Sequence, residues 1–368
     1  MTISAISRRN LLALMGAGLA ARPALAATAL NLSEAQLQAG ADVLGHHPSV
    51  DVHAHPGRFF LRDAPQTPTT RELGLPAEAQ VLADMTAGRV TAAFFACVSD
   101  ATLLGLTPSG GMGVTREFQP GEAWAEYGRQ IALLQAMAKR GDVARGLTRG
   151  DIGKALKAHR TAAVFAVEGG DFIEDRMDRV HQAHADGVRA ITIVHYHPNQ
   201  IGDPQTEQPR TPGLTPTGRR IVREMNRAGI LIDLAHASFG VTKDTLALSD
   251  KPVMLSHTNL KRPDLDHPRL ISVEHAKLVA SHGGIVGSVP SGIGQASLGD
   301  WINSILRLID AVGVDHVAIG TDMDANYRPV FTDYRDWGVI PAALLARGLS
   351  EAETAKVIGG NALRIFPT

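Results

Sequence analysis

The sequence predicts an α/β fold, namely a (β/α)8 TIM barrel with extra helices at its C-terminal end. Eight short apolar runs are of strand length, and most are hydrophobic throughout, which is typical of parallel strands covered on both faces. Helical patterns separate most of these runs, and several end just before a glycine, the usual C-terminal stop of a helix. This alternation indicates βαβ units, and 368 residues suffice for eight of them in a single domain.

The predicted elements follow one another in a regular order. The strands cover residues 49–55, 90–98, 162–168, 188–195, 230–236, 252–257, 284–289 and 316–322. The helices cover residues 78–87, 122–139, 174–185, 217–228, 272–281 and 298–312, and two more, at 341–346 and 351–366, follow the last strand. The glycine-rich segment 99–121 lacks the Gly-Lys-Ser/Thr ending of a phosphate-binding loop. We interpret it as a mobile loop over the barrel mouth.

The N-terminal residues have the anatomy of a signal peptide. Arg8 and Arg9 precede an apolar run over residues 11–21, and Ala24-Leu25-Ala26 provides a small-x-small cleavage site. The apolar run is too short to cross a bilayer, and no later segment approaches the required length. We therefore expect no transmembrane segment in the mature chain.

The basic pair also indicates the export route. Residues 7–12, Ser-Arg-Arg-Asn-Leu-Leu, resemble a twin-arginine signal, and an ordinary secretory signal is the alternative. We expect a signal peptide at residues 1–26, a single (β/α)8 domain at 27–368 and a periplasmic location.

Composition excludes several classes of protein. Lys and Arg number 36 and Asp and Glu 37, so the formal net charge of −1 gives no basic excess for nucleic acid, and no nucleic-acid partner is expected. The single cysteine, Cys97, excludes a disulfide within the chain and any multi-cysteine metal site. No activating base is evident beside Cys97, so we interpret it as a small core residue rather than a nucleophile.

Side chains that bind metals stand at the C-terminal ends of six predicted strands, the face at which such barrels carry their active sites. These residues are His53, His55, Glu168, His195, His236, His257 and Asp322. Taken alone, each residue has an ordinary interpretation as a hydrogen-bonded or solvated side chain. Accident is a poor explanation, however, for six strands that all end in potential metal ligands. We assign the histidines on helices and at the opposite face structural roles, and leave His197 and His267, in rim loops, open.

The ligand types predict the metal and the chemistry. Imidazole and carboxylate without thiolate suit zinc, with Mn, Fe, Co or Ni as alternatives. The ligands exceed the needs of one tetrahedral ion, so we expect two divalent ions bridged by Glu168 and a hydroxide. The hydroxide would attack a carbonyl, Asp322 would carry its proton to the leaving group, and His195 would stabilise the oxyanion. The residues thus predict hydrolysis of an amide, ester or related bond.

Taken in order, the motifs resemble the membrane dipeptidase (renal dipeptidase) family, peptidase family M19, among the amidohydrolase-like metal-dependent hydrolases. The shared pieces lie between residues 49 and 366 and include Asp51-Val52-His53, Val167-Glu168-Gly169-Gly170, Gly213-Leu214-Thr215-Pro216-Thr217-Gly218, Ile232-Asp233-Leu234-Ala235-His236, Ser256-His257, Asp266-His267-Pro268-Arg269 and Gly320-Thr321-Asp322. The resemblance implies that His53 and position 55 bind one zinc, that Glu168 bridges, and that His236 and His257 bind the second.

The same resemblance implies how a substrate is held. His195 would contact the substrate carbonyl or tetrahedral intermediate, and Arg269 would pair with the free carboxylate of a dipeptide. Asp322 would handle the proton and hold the substrate's amino group. The small-molecule substrate would be a dipeptide, in several members with a D-residue at the C-terminal position, and the family's tendency implies a homodimer.

The chain departs from the family pattern at three places. It has His55 where the family usually has Asp, which replaces an anion by a neutral ligand. The residues after His195, Tyr196-His197-Pro198-Asn199, and the Asp322-Met323-Asp324-Ala325 stretch also differ. The alternatives are therefore another amidohydrolase, such as an N-acyl amino-acid deacylase or lactonase, and a non-catalytic periplasmic binding protein, which would have no use for Asp322 as a proton carrier.

Overall fold

The structure is a computed structural model that describes residues 22–67, 74, 77–107 and 112–367. The predicted signal residues 1–21 therefore lie outside the described part of the chain. Within that part, the strands are β1 Val50–Ala54, β2 Ala92–Val98, β3 Leu104–Leu106, β4 Met112–Val114, β5 Ala144–Arg145, β6 Ala162–Glu168, β7 Val188–Thr192, β8 Leu231–Asp233, β9 Met254–Thr258, β10 Ile285–Ser288 and β11 Val317–Ile319.

The helices of the same residues alternate with most of these strands. They are α1 Arg22–Ala29, α2 Glu34–His46, α3 Glu78–Ala87, α4 Glu122–Arg140, α5 Arg149–Lys157, α6 Asp178–Asp186, α7 Pro216–Ala228, α8 Phe239–Leu248, α9 Val273–Ser281, α10 Leu298–Val312, α11 Val339–Ala346, α12 Glu351–Ala355 and α13 Asn361–Ile365. Short 3-10 turns cover Pro56–Leu61, Asp171–Ile173, Val314–His316 and Tyr334–Asp336, and a π-helical turn covers Lys356–Gly360.

Parallel pairing closes the described strands into a barrel and confirms the predicted fold. The hydrogen-bonded order is β2-β1-β11-β10-β9-β8-β7-β6, and β2 pairs with β6 to complete the ring. The closing register is regular, from Ala92 opposite Ala162 to Val98 opposite Glu168. Strand β5 adds a short parallel pairing at the N-terminal end of β6, with Ala144 opposite Ala162. All eight predicted strands are present, and their C-terminal ends meet at one face of the barrel.

Small residues allow the barrel interior to close around its strands. The alanines of β2, β6, β7 and β11 that point inwards are buried, among them Ala92, Ala162 and Ala190. Glycine is required at two interior positions, because a Cβ at Gly287 or Gly320 would lie 1.8 or 1.9 Å from the carbonyl oxygen of Ser256. The larger apolar side chains fill the second layer, between the strands and the helices.

The structure differs from the predicted elements in three respects. Helix α8 was not predicted, and neither were α1, α2 and α5. The predicted helix at 351–366 is interrupted by the π turn, where Gly359 packs so closely that a Cβ would lie 2.2 Å from the Pro48 carbonyl oxygen. The segment 99–121 is not simply a loop: β3 and β4 pair as an antiparallel hairpin, with Leu104 opposite Val114. Its tip, at 108–111, lies outside the described residues, so its predicted mobility stays a prediction.

The N-terminal helix is attached to the outside of the barrel. Ala27 of α1 is buried, whereas Leu25 is 70% exposed. The predicted cleavage site after Ala26 therefore directly precedes the buried Ala27. No helix among the described residues combines the length and apolar character that a membrane span requires.

Candidate metal centre

The side chains predicted to bind metals meet at the C-terminal face of the barrel. His53 lies on β1 and His55 directly after it, while Glu168 ends β6 and His257 lies on β9. The predicted strands four, five and eight end earlier than expected, so His195, His236 and Asp322 lie in the loops that follow them. Their side chains still turn towards the same space, and the imidazoles and Glu168 are at least 94% buried.

Glu168 is the centre of the cluster. Its Oε1 lies 3.3 Å from His53 Nε2, 3.2 Å from His236 Nε2 and 3.5 Å from His257 Nε2. Its Oε2 lies 3.4 Å from His55 Nε2. The potential ligand atoms form two groups that share this carboxylate, His53–His55–Glu168 and Glu168–His236–His257. The structure thus brings together all five predicted ligands.

Unusual backbone conformations aim two of the loop residues at this space. His236 has φ 66° and Asp322 has φ 53°, in the left-handed region that residues other than glycine rarely adopt. The Asp322 backbone N–H donates to the His53 carbonyl at 2.8 Å, so the segment after β11 is attached to β1. As a result Asp322 Oδ1 lies 3.2 Å from His55 Nε2, and its side chain remains 20% exposed.

Hydrogen bonds behind two of the imidazoles, those of His257 and His55, present Nε2 to the centre, whereas His236 Nδ1 is buried without a hydrogen-bond partner among the described residues. The Ser256 hydroxyl donates to Asp233 Oδ2 at 2.6 Å and therefore accepts from His257 Nδ1 at 2.9 Å. His55 Nδ1 donates to the Ala96 carbonyl at 2.8 Å. A ring that donates from Nδ1 carries a lone pair on Nε2 when it is neutral, which is the form that binds a metal.

In the absence of a bound cation, burial and neighbouring charges determine which side chains of the cluster are protonated. Burial, together with nearby positive charges that include Arg269, holds the pKa of His236 and His257 well below the ordinary value. Burial opposes the charge on His55 too, but Asp322 and Glu168 outweigh it and raise the pKa of His55 to about 10. Burial likewise opposes ionisation of Glu168, yet its imidazole partners hold its pKa well below the usual range.

These side chains fit a divalent cation. They combine imidazole nitrogens with a shared carboxylate in a buried space, and no thiolate is near, since Cys97 lies in the core of β2. This donor set suits zinc and related first-row ions. Burial raises the pKa of the Cys97 thiol, in agreement with its interpretation as a core residue.

Arg269, predicted to bind a substrate carboxylate, lies beside the cluster. Its charge contributes to the lowered pKa values of His236 and His257. Its Nη1 is buried and has no hydrogen-bond partner among the described residues. A guanidinium with a buried free N–H is suited to an anionic group supplied from outside the chain.

The two open histidines differ in their surroundings. His197 lies between Asp171, whose Oδ1 is 2.7 Å from Nδ1, and Glu117, whose Oε2 is 2.9 Å from Nε2. Burial opposes the charge on His197, but these two carboxylates raise its pKa to about 9. His267 accepts a hydrogen bond at Nδ1 from the Arg269 backbone, 3.1 Å away. Neither belongs to the two groups around Glu168.

Sequence reasoning missed three side chains that support the cluster. Asp233 accepts hydrogen bonds from Ser256 and Thr192, and Asp100 contacts His195. Asp100 follows β2, so the rule that selected the other strand ends also applied to it. The sequence carries no comparable signal for the roles of Asp233 and Ser256, because both residues belong to strands and face the barrel interior.

Comparison with known proteins identifies the family of the chain. The sequence profile of the family Membrane dipeptidase (Peptidase family M19) matches residues 37–368. Dipeptidase verJ of Clonostachys rogersoniana is 28% identical over 65% of this chain and 63% of its own length. Dipeptidase 3 of Mus musculus is 30% identical over 56% of this chain and 44% of its own length. The chain thus spans between about two fifths and two thirds of these relatives.

Solved structures share the fold. An amidohydrolase from Pseudomonas aeruginosa matches with a TM-score of 0.69 and 24% identity, over 89% of this chain and 97% of its own. A metallo peptidase from Rhodobacter sphaeroides, liganded with a phosphinate mimic of the dipeptide L-Ala-D-Ala, matches with a TM-score of 0.69 and 23% identity, over 87% and 98%. Since the family profile covers most of the sequence, the chain belongs to the membrane dipeptidase family, peptidase family M19.

Proposed function

We propose that the chain is a metal-dependent dipeptidase with two divalent ions, zinc by preference. The observation that carries the proposal is the pair of ligand groups that share Glu168 at the barrel mouth. His53, His55 and Glu168 would hold one ion, and Glu168, His236 and His257 the other. When bound, the ions would supply a nucleophile from water at neutral pH and polarise the scissile carbonyl.

The side chains around the two groups have complementary roles in this proposal. Arg269 binds the free carboxylate of the dipeptide through its unpartnered guanidinium. Asp322, partly exposed beside His55, holds the substrate's amino group and carries a proton to the leaving amine. His195, whose Nε2 lies 3.5 Å from Glu168 Oε2, donates to the carbonyl oxygen as negative charge develops there.

Hydrolysis of a panel of L-L and L-D dipeptides by the zinc-loaded protein, with a chelated aliquot beside it, tests the activity. Turnover that is lost on chelation and restored by metal is the expected result. N-acyl amino acids and lactones belong in the same panel, because His55 in place of the family's usual Asp and the residues after His195 favour a second candidate, another amidohydrolase. Turnover of those compounds alone would replace the dipeptidase proposal.

The Arg269→Ala variant tests how the substrate is held. Loss of a charge-assisted pair costs about 1.5–3 kcal/mol, so KM for free dipeptides should rise roughly 10- to 100-fold. The matched control is Arg262→Ala, which removes a guanidinium of the same loop that pairs with Asp264. An unchanged KM in the Arg269 variant, or an equal rise in the control, contradicts this role.

We also propose that the protein is exported, by the twin-arginine route, as a single domain cleaved after Ala26. The buried Ala27 would then be the first residue of the mature chain. N-terminal sequencing of the periplasmic fraction, with Arg8→Lys/Arg9→Lys as the export-defective control, tests this. Light scattering of the mature protein tests the proposed homodimer.

A further inference from the structure

We infer that Asp100 is the positioning residue of His195, fixing its imidazole so that Nε2 faces Glu168 and the substrate carbonyl. The role of His195 in the reaction rests on the proposed function, whereas its contact with Asp100 rests on the geometry alone.

Asp100 lies two residues beyond the end of β2 and is completely buried. Its Oδ1 lies 2.5 Å from His195 Nδ1, which donates to it. Its Oδ2 accepts the backbone N–H groups of Tyr196, at 3.1 Å, and His197, at 3.0 Å. The two oxygens therefore have separate tasks, one holding the ring and the other holding the backbone next to it.

This arrangement selects one orientation of the imidazole. With Nδ1 bonded to Asp100, the opposite nitrogen lies 3.5 Å from Glu168 Oε2, on the side of the ligand cluster. A flipped ring would turn a carbon towards Asp100 and leave the buried carboxylate oxygen without its donor, at a cost of about 1–3 kcal/mol or more for a charged group. The imidazole is thus held in place before a substrate arrives.

A purely structural role does not require a carboxylate here. The two backbone N–H groups need a single acceptor oxygen, which an asparagine amide provides equally well. A buried charge is costly unless it is fully paired, and the additional partner of this charge is His195. With Nδ1 donating to Asp100, Nε2 can donate only when the ring carries both protons, and the Asp100 carboxylate balances that positive charge. A fixed donor of this kind stabilises developing charge more than a mobile one does, because it does not have to reorganise during the reaction.

The test compares Asp100→Asn with Asp171→Asn in the zinc-loaded protein. Asp171 is another buried carboxylate, 3% exposed, that contacts a histidine, but that histidine is His197. Asp100→Asn should lower kcat about 100-fold, within the 10²–10³ range for loss of one preorganised donor, and leave KM within about twofold. Metal content and Tm should stay near wild type, and Asp171→Asn should change kcat less than about threefold.

A double-mutant cycle separates positioning from folding. If Asp100 acts through His195, adding Asp100→Asn to His195→Gln should lower kcat no further, whereas independent contributions would multiply. His195→Gln leaves both backbone hydrogen bonds to Asp100 in place, so this background is expected to fold. Multiplying losses, or a loss of kcat that only follows lost metal, overturns the inference.

A measurement without substrate separates this inference from the proposed function. The short His195–Asp100 hydrogen bond should give a low-field proton signal in NMR spectra, absent from Asp100→Asn and His195→Gln but present in Asp171→Asn. If that pattern holds and no dipeptide is cleaved, the dipeptidase proposal fails and the positioning of His195 stands. If dipeptides are cleaved and Asp100→Asn keeps its kcat, positioning fails and the dipeptidase proposal stands.

Discussion

Replacing Asp233 by Asn should weaken metal binding without touching a ligand. Asp233 Oδ1 accepts the backbone N–H groups of Ala235 and Ser256, at 3.0 and 2.9 Å, and the new amide oxygen can keep both. The new NH2 group then replaces Oδ2 and donates to the Ser256 hydroxyl. That hydroxyl must now donate to His257 Nδ1, which shifts the proton of His257 to Nε2, the atom that faces the other ligands.

The expected loss of metal affinity follows from the histidines that the substitution affects. Ser256 Oγ lies 2.9 Å from His257 Nδ1 and 3.4 Å from His53 Nδ1, so one substitution disturbs a histidine in each ligand group. Loss of such an outer partner typically costs 10- to 100-fold in metal affinity, or about 1.4–2.7 kcal/mol. Competition with a chromophoric chelator, together with metal analysis after dialysis, measures this loss.

Thr192→Val is the matched control. Its hydroxyl also donates to Asp233 Oδ2, at 2.6 Å, but it contacts none of the histidines of the two groups. Valine has nearly the same shape, so Asp233 loses one donor and the orientation of Ser256 is kept. Wild-type metal affinity in Asp233→Asn, or an equal loss in Thr192→Val, would refute the tautomer argument.

Three further predictions concern stability. Chelation should lower Tm, because metal present at 100 times its Kd stabilises the folded state by about 2.7 kcal/mol; identical melting curves with and without metal would contradict bound ions. Gly320→Ala should lower the free energy of unfolding by about 1–3 kcal/mol, because the new Cβ would lie 1.9 Å from the Ser256 carbonyl oxygen. Urea titration measures this loss, and an unchanged unfolding midpoint would contradict it. His197 has a folded-state pKa of about 9, above the value near 6.5 that it has in the unfolded chain. Its positive charge therefore stabilises the folded state fully when the pH is below its unfolded pKa. This contribution, at most roughly 3 kcal/mol, is lost as pH rises towards 9. The His197→Gln variant should flatten that part of the pH profile, and an unaltered slope would exclude His197 as its source.

The sequence predicts the barrel well because each strand carries its own signal. Strand β6, for example, is apolar from Ala162 to Val167 and ends in Glu168, as predicted. Helix α8 escaped notice because its apolar residues lack a clear one-sided pattern, although Ser238 caps it by accepting from the Val241 N–H at 3.3 Å. The pairing of Leu104 with Val114 depends on contacts across the hairpin that a linear reading does not contain.

The candidate site is predictable to the extent that a strand end identifies it. The rule found His236 and Asp322 even though each lies beyond its strand, in a loop with a left-handed backbone conformation. It does not find Asp233 or Ser256, whose importance depends on which histidine nitrogen they contact across neighbouring strands. Such supporting residues become visible only when distances between side chains are known.

The carboxylate common to both ligand groups has a thermodynamic consequence. An ion bound by one group would use Glu168 as a ligand and would alter the charge and orientation of this carboxylate for an ion in the other group. The two binding free energies would therefore be coupled. Coupling of this kind is reciprocal: whatever the first ion does to the affinity of the second, the second does equally to the first. If two ions bind as proposed, a metal titration should therefore not be described by two independent sites. Variants intended to carry one ion are best made at the histidine pairs, because a change at Glu168 would affect both groups together.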